Sequence, residues 1–273
     1  MWLGDLHDGN GLSDAALPNG VLSNPIFEEV EYDVLTIGNH ELYLTDIAYE
    51  TYSNFSKVWG DKYVTSNVQI INPATGLYEY IGSTHYYFTT PHGLRIMAFG
   101  VLFNFAGNSN VSKVIKAADM IQQPWFIDAV NYKKPIDLFL VIGHNPVRAS
   151  ASDTSSTLGL LHSTIRSMRP ELPIQFFGGH THIRDFKVFD DMSTGLESGN
   201  FPLIRALLNL LSDKYRAILR NPRLGVDEWH QFLYIYWQRK ASRCRKSFKK
   251  SQQHVCVQLG IFEKIPRLEP SDI

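Results

Sequence analysis

The sequence predicts an α/β sandwich, two mixed sheets flanked by helices, with the functional site at strand ends. Three observations predict it. Short apolar, β-rich runs recur, each closed by glycine and followed by a helical stretch. Residues 78–102 switch to period-two alternation and read as a hairpin section. Strand ends repeat one chemistry: Gly4-Asp5, Gly38-Asn39-His40-Glu41, Gly143-His144-Asn145-Pro146 and Gly178-Gly179-His180-Thr181-His182. Open α/β sheets place their sites just outside the carboxyl ends of strands. Asp5, Asn39, His40, His144, His180 and His182 are therefore expected to converge on one edge of one sheet.

Taken in order, Met1-Trp2-Leu3 reads as the end of a buried strand, and residues 4–11 as a glycine-rich polar loop. Residues 23–30 read as a helix with Ser23 as N-cap and Pro25 in its first turn. Residues 32–37 (YDVLTI) form a buried strand ending at Gly38, and residues 42–58 a helix. Residues 62–71 read as a strand. In the hairpin section, Pro91-His92-Gly93 is the turn and residues 94–102 the returning strand. Residues 111–132 read as a helix interrupted near Pro124. Residues 137–142 (DLFLVI) are a buried strand, residues 154–168 an amphipathic helix, residues 174–177 a buried strand, and residues 184–189 a further strand.

The charge is unevenly spread. The formal net charge is −1. Residues 200–273 hold 14 Lys+Arg against 6 Asp+Glu, a net of +8; residues 1–199 hold 12 against 21, a net of −9. An acidic body suits a protein that gathers cations and is a weak argument for binding nucleic acid. The two cysteines, Cys244 and Cys256, both lie in the basic part, so the body has no thiolate metal site or disulfide framework. No run reaches the roughly 18–20 apolar residues of a membrane span.

Asp, Asn and His without Cys suit Mn, Fe or Zn. Two such ions a few ångströms apart clamp a phosphoryl group and lower the pKa of a bound water. A neighbouring histidine can then protonate the leaving alkoxide.

The motifs in this order resemble the calcineurin-like metallophosphoesterase superfamily, on its 5′-nucleotidase-like branch, most closely in YDVLTIGNHELY and GGHTHIRDF. The resemblance covers about residues 1–199 as a catalytic domain and implies a metallophosphoesterase-type αββα sandwich. It implies that Asp5 bridges two divalent ions, that Asn39, His144 and His180 complete one site, and that His182 binds the other ion. His40 becomes the general acid or transition-state stabiliser near the scissile phosphate, with a metal-activated hydroxide attacking phosphorus of a small phosphoester.

Three departures stand out. The family's Asp-x-His motif on an earlier strand has no room before Gly4. Asp5-Leu6-His7 spells that motif too, but the distance from Asp5 to Asn39 fits the bridging carboxylate better. Where relatives carry an aspartate that orients the catalytic histidine, this chain reads Leu42-Tyr43. Nothing in residues 200–273 corresponds to a nucleoside-binding second domain. These departures predict a first strand missing and one tightly bound ion rather than two. The alternative function is then a catalytically weak binding module with one metal site.

Other residues read as structural. His7, His85 and His92 are expected at the surface or in turns, His162 on a helix, and Asp8 and Asp14 in loops. Arg148 and Arg184 follow motif residues and read equally well as phosphate contacts or surface arginines. Residues 240–250 (KASRCRKSFKK), preceded by Trp229, Tyr234, Tyr236 and Trp237, offer a weak case for nucleic acid or an anionic membrane; an altered reading frame is a further explanation of this tail. Asn54-Phe55-Ser56 and Asn110-Val111-Ser112 are glycosylation sequons, which fit a secretory or vacuolar location if a signal peptide preceded residue 1.

Overall fold

The computed structural model describes residues 1–7, 12–149 and 156–198. The readings made for Asp8 and for residues 200–273 lie outside them. Among the described residues, no helix is long and apolar enough to cross a membrane.

The larger sheet has six strands in the order β3-β4-β6-β7-β9-β8. These are β3 Tyr86–Thr89, β4 Arg95–Gly100, β6 Leu138–Ile142, β7 Ile174–Gly178, β8 Asp185–Asp190 and β9 Ser193–Glu197. The centre is parallel, from β4 through β6 and β7 to β9, and the two edge strands run antiparallel. The smaller sheet, β2-β1-β5, is built from β1 Val68–Ile71, β2 Tyr78–Tyr80 and β5 Ser112–Val114. Both its pairings are antiparallel.

Two cores result. One face of the large sheet, with Met97, Phe99, Phe139, Val141, Ile174 and Phe176, packs on helices α4 Ala117–Met120, α5 Pro124–Val130 and α6 Leu158–Met168. In α6 the inward residues are Leu158, Leu161 and Ile165, the spacing of one helical face. The second core joins Leu35, Ile37, Val68, Ile70 and Leu102 to Phe27 of α1 Asn24–Glu28, Ala48 of α2 Thr45–Glu50 and Phe55. Asn67 ties this region to the strand end after β4: its side chain accepts from the Leu102 N–H (2.9 Å) and donates to the Leu102 carbonyl (2.8 Å). The helix–sheet–sheet–helix order follows from these two cores.

Several elements differ from the sequence reading. The helix expected over 42–58 is a 3₁₀ turn, His40–Leu42, then α2, a π-helical turn Thr51–Phe55 and α3 Ser56–Trp59. The strand expected over 32–37 makes only isolated parallel bridges, Leu35 to Trp2 and to Tyr63. Only the last part of 62–71 is regular strand. Residues 111–132 begin with strand β5, not helix, because Ser112 and Val114 pair with β1. Strand β9 was not expected at all; its sequence, STGLE, is poor in strand formers. It is buried along its whole length because it fills the position between β7 and β8.

Candidate active site

Four loops meet at the strand ends. The first two leave the bridged segments at Gly4 and Gly38, where the chains pass so closely that a Cβ on Gly38 would lie 2.1 Å from Asp5 Oδ1. Only glycine fits there. The other two leave β6 at Gly143-His144 and β7 at Gly179-His180.

The structure brings most of the predicted site residues together. His144 Nε2 lies 2.8 Å from Asp5 Oδ2. His180 Nδ1 lies 3.3 Å from His144 Nε2. The His40 backbone N–H donates to Asp5 Oδ1 (3.2 Å), and His40 Nε2 stands 3.6 Å from Asp5 Oδ2. Asn39 is buried; its side-chain amide donates to the Tyr43 hydroxyl oxygen (2.6 Å), and its Oδ1 has no hydrogen-bond partner. His182, two residues beyond His180, is exposed. Asp5, His180 and His182 all have left-handed backbone, with φ of 57°, 92° and 59°. Such conformations cost about 1–3 kcal/mol each and persist where the surroundings impose them.

Chemistry of the donor set tests whether a metal fits. His144 Nδ1 faces the Leu3 carbonyl at 3.1 Å. A carbonyl only accepts, so Nδ1 carries the proton and Nε2 of the neutral ring is an acceptor. That acceptor faces a carboxylate oxygen and a second imidazole, an arrangement stabilised by a proton or a cation. Two donors on one ion at about 2.1 Å sit roughly 3.0–3.4 Å apart. The His144–His180 pair has that spacing, and Asp5–His144 is shorter by a few tenths of an ångström. Among the described residues no three His, Cys, Asp or Glu already stand in full metal-holding arrangement. In donor type, Asp5, His144, His180 and the carboxamide oxygen of Asn39 suit a divalent ion.

Residues 1–184 match the family of calcineurin-like phosphoesterases. The chain belongs to that family. A solved 5′-nucleotidase from Candida albicans is 46% identical with a TM-score of 0.67, over 72% of this chain and 35% of that one. A protein of Arthroderma benhamiae named "Secreted protein" is 65% identical over 72% of this chain and 29% of its own length. An uncharacterized Schizosaccharomyces pombe protein is 47% identical over 72% of this chain and 32% of its own. The chain thus spans about a third of the length of these relatives.

In this member of the family, two buried glutamates hold the site loops, and the sequence reading assigned neither a role. Glu41 accepts from the backbone N–H of Asp5 (2.9 Å), Leu6 (2.6 Å), His7 (3.2 Å) and Gly38 (2.7 Å). It also meets His7 Nδ1 at 3.1 Å. Burial alone would push its carboxyl up. The His7 hydrogen bond and charge, with the Gly38 and Leu6 N–H groups, instead hold it down at about 2. His7, expected at the surface, is buried as this partner. Glu197, on β9, accepts from the Val147 N–H (3.1 Å) and from the Thr181 N–H (3.0 Å) and hydroxyl. Its carboxyl is raised, chiefly by burial. A carboxylate flanked by glycine-rich ligand loops is the signal that could have found Glu41. Glu197 left none, since its strand was not expected.

The remaining residues are structural. His162 bonds Asp190 (2.7 Å), and Arg148 pairs with Asp185 (2.9 Å) at the surface. Asn145 fixes the start of α6, donating to the Thr157 hydroxyl oxygen (2.6 Å) and accepting from the Thr157 N–H (3.0 Å).

Proposed function

We propose that residues 1–199 form the metal-dependent phosphoester hydrolase domain of a 5′-nucleotidase-like protein. The observation that carries this is the meeting of the Asp5, His144 and His180 side chains, together with a buried Asn39 whose Oδ1 has no hydrogen-bond partner. In this reading those four residues hold one divalent ion, Mn, Fe or Zn, and His182 is reserved for a second. A bound ion would supply Lewis acidity toward the phosphoryl oxygens. Water adds to phosphorus, the ester P–O bond breaks, and the departing oxygen needs a proton. His40 is partly exposed beside Asp5 and supplies that proton. Asp5 anchors the His40 backbone and so fixes where the imidazole stands.

The alternative, a weakly catalytic binding module with a single metal site, is favoured by one observation, the exposure of His182. Hydrolysis of an aryl phosphate diester and a nucleotide by the Mn-loaded chain separates the two. Metal-dependent turnover that falls by roughly two to four orders of magnitude in His40→Ala supports the hydrolase. Turnover no faster than buffer leaves the binding module.

The same reading extends to location. Asn54 and Asn110 are both exposed, and one relative is named a secreted protein. We infer passage through a secretory or vacuolar route. Glycan on either asparagine in protein from the native source supports this, and unmodified asparagine at both positions counts against it.

A further inference from the structure

Asn39 and Tyr43 flank the 3₁₀ turn His40–Leu42, and both have right-handed helical backbone. The two residues lie four positions apart, and their side chains meet. The Asn39 amide nitrogen donates to the Tyr43 hydroxyl oxygen at 2.6 Å. A carboxamide has one oxygen and one nitrogen on the same carbon, so fixing the nitrogen on Tyr43 turns the oxygen away from it. That oxygen is the buried atom without a partner. The Tyr43 ring is itself held on two sides. It packs against His40 with centroids 5.0 Å apart and edge-on against Phe105 at 5.6 Å. Phe105 leans on Phe103, which stacks on His180 at 4.2 Å. An aromatic row thus runs from the proposed acid to a proposed metal ligand, with Tyr43 inside it.

We propose that Tyr43 is a positioning residue for the metal site, holding the Asn39 carboxamide so that Oδ1 is presented to the ion. This rests on the single-ion site described above. Without the Tyr43 hydroxyl the carboxamide can rotate and offer its N–H₂ face, which repels a cation. Outer partners of this kind are typically worth 10–100-fold in metal affinity.

Mn²⁺ titration of the 273-residue chain tests this by calorimetry, using wild type, Tyr43→Phe, Asn39→Ala and the double variant. Tyr43→Phe keeps the ring and its aromatic contacts while removing the hydroxyl. The expected result is a loss of Mn²⁺ affinity of about tenfold or more in Tyr43→Phe. Asn39→Ala should lose at least as much, and the double variant no more than Asn39→Ala alone. Tyr43→Phe binding as tightly as wild type overturns the proposal. So does a further loss on adding Tyr43→Phe to Asn39→Ala, because Tyr43 would then act by another route. If wild type binds no Mn²⁺, the single-ion reading itself fails and takes this inference with it. Should Tyr43→Phe not fold, the wild-type chain still decides by NMR. The Asn39 side-chain amide protons should be protected from solvent exchange, and exchange as fast as that of an exposed asparagine overturns the proposal.

Discussion

On one side of the site, Glu41 gathers four backbone N–H groups and a histidine. On the other, Glu197 gathers two backbone N–H groups and a hydroxyl, with Asp185 adding like charge. Both carboxylates stitch one ligand loop to the next, yet their carboxyl groups shift in opposite directions. The backbones behind them differ too. The His144 and His180 loops leave β6 and β7, paired along their length inside a six-stranded sheet. The Asp5 and Asn39 loops leave segments joined by isolated bridges at Trp2, Leu35 and Tyr63. Where the ladder is long, the loop arrives already placed. Where it is reduced to single bridges, a buried carboxylate replaces the missing ladder, and its anion is stabilised by enough donors to offset burial.

The largest effect should therefore come from Glu41. Glu41→Gln leaves His7 and several backbone donors poorly matched. It should lower the unfolding free energy by about 3–5 kcal/mol in a urea titration, the usual cost of breaking a buried charged network. Gly38→Ala comes next. Its Cβ would displace Asp5, so Mn²⁺ binding should be lost even where far-ultraviolet circular dichroism is unchanged. Glu197→Gln should cost only about 1–2 kcal/mol, because the sheet still holds both loops. Ionising a carboxyl with a raised pKa costs folded stability as pH rises past its ordinary value of 4.5. The deficit of Glu197→Gln should accordingly shrink between pH 4 and pH 7, and equal losses at Glu41 and Glu197 would break the comparison.

The smallest effect lies away from the site. Burial would raise the Asp190 carboxyl, but Arg166, the Met192 N–H, His162 and Ser193 hold it below its ordinary value of 3.8. A depressed carboxyl contributes stability above about pH 3.8 that is lost as pH falls further. Asp190→Asn should flatten the acid limb of the stability profile below that pH and leave metal binding unchanged.

Much of this was legible in the sequence. Apolar runs closed by glycine marked β6 and β7, and the ligand-type residues after them marked the loops. Strand β9 was not legible, since Ser193, Thr194 and Gly195 are buried by their neighbours rather than by hydrophobicity. Gly195 is packed by Phe189, Val147 and Phe176. Glu41 stood in a motif already noticed, but its bonds to residues 5–7 span 34 to 36 positions of sequence. Only the tertiary fold brings such donors together. The left-handed backbone at Asp5, His180 and His182 was equally hidden, because local propensity disfavours it and the surrounding contacts impose it.

The central claim is that Asp5, Asn39, His144 and His180 hold one ion while His40 holds none. Elemental analysis after Mn²⁺ loading and dialysis tests it most directly, on wild type, His180→Ala and His40→Ala. The prediction is about one ion per chain in wild type, nearly the same in His40→Ala, and close to none in His180→Ala. Two tightly held ions in wild type, or equal loss of metal in both variants, would contradict it.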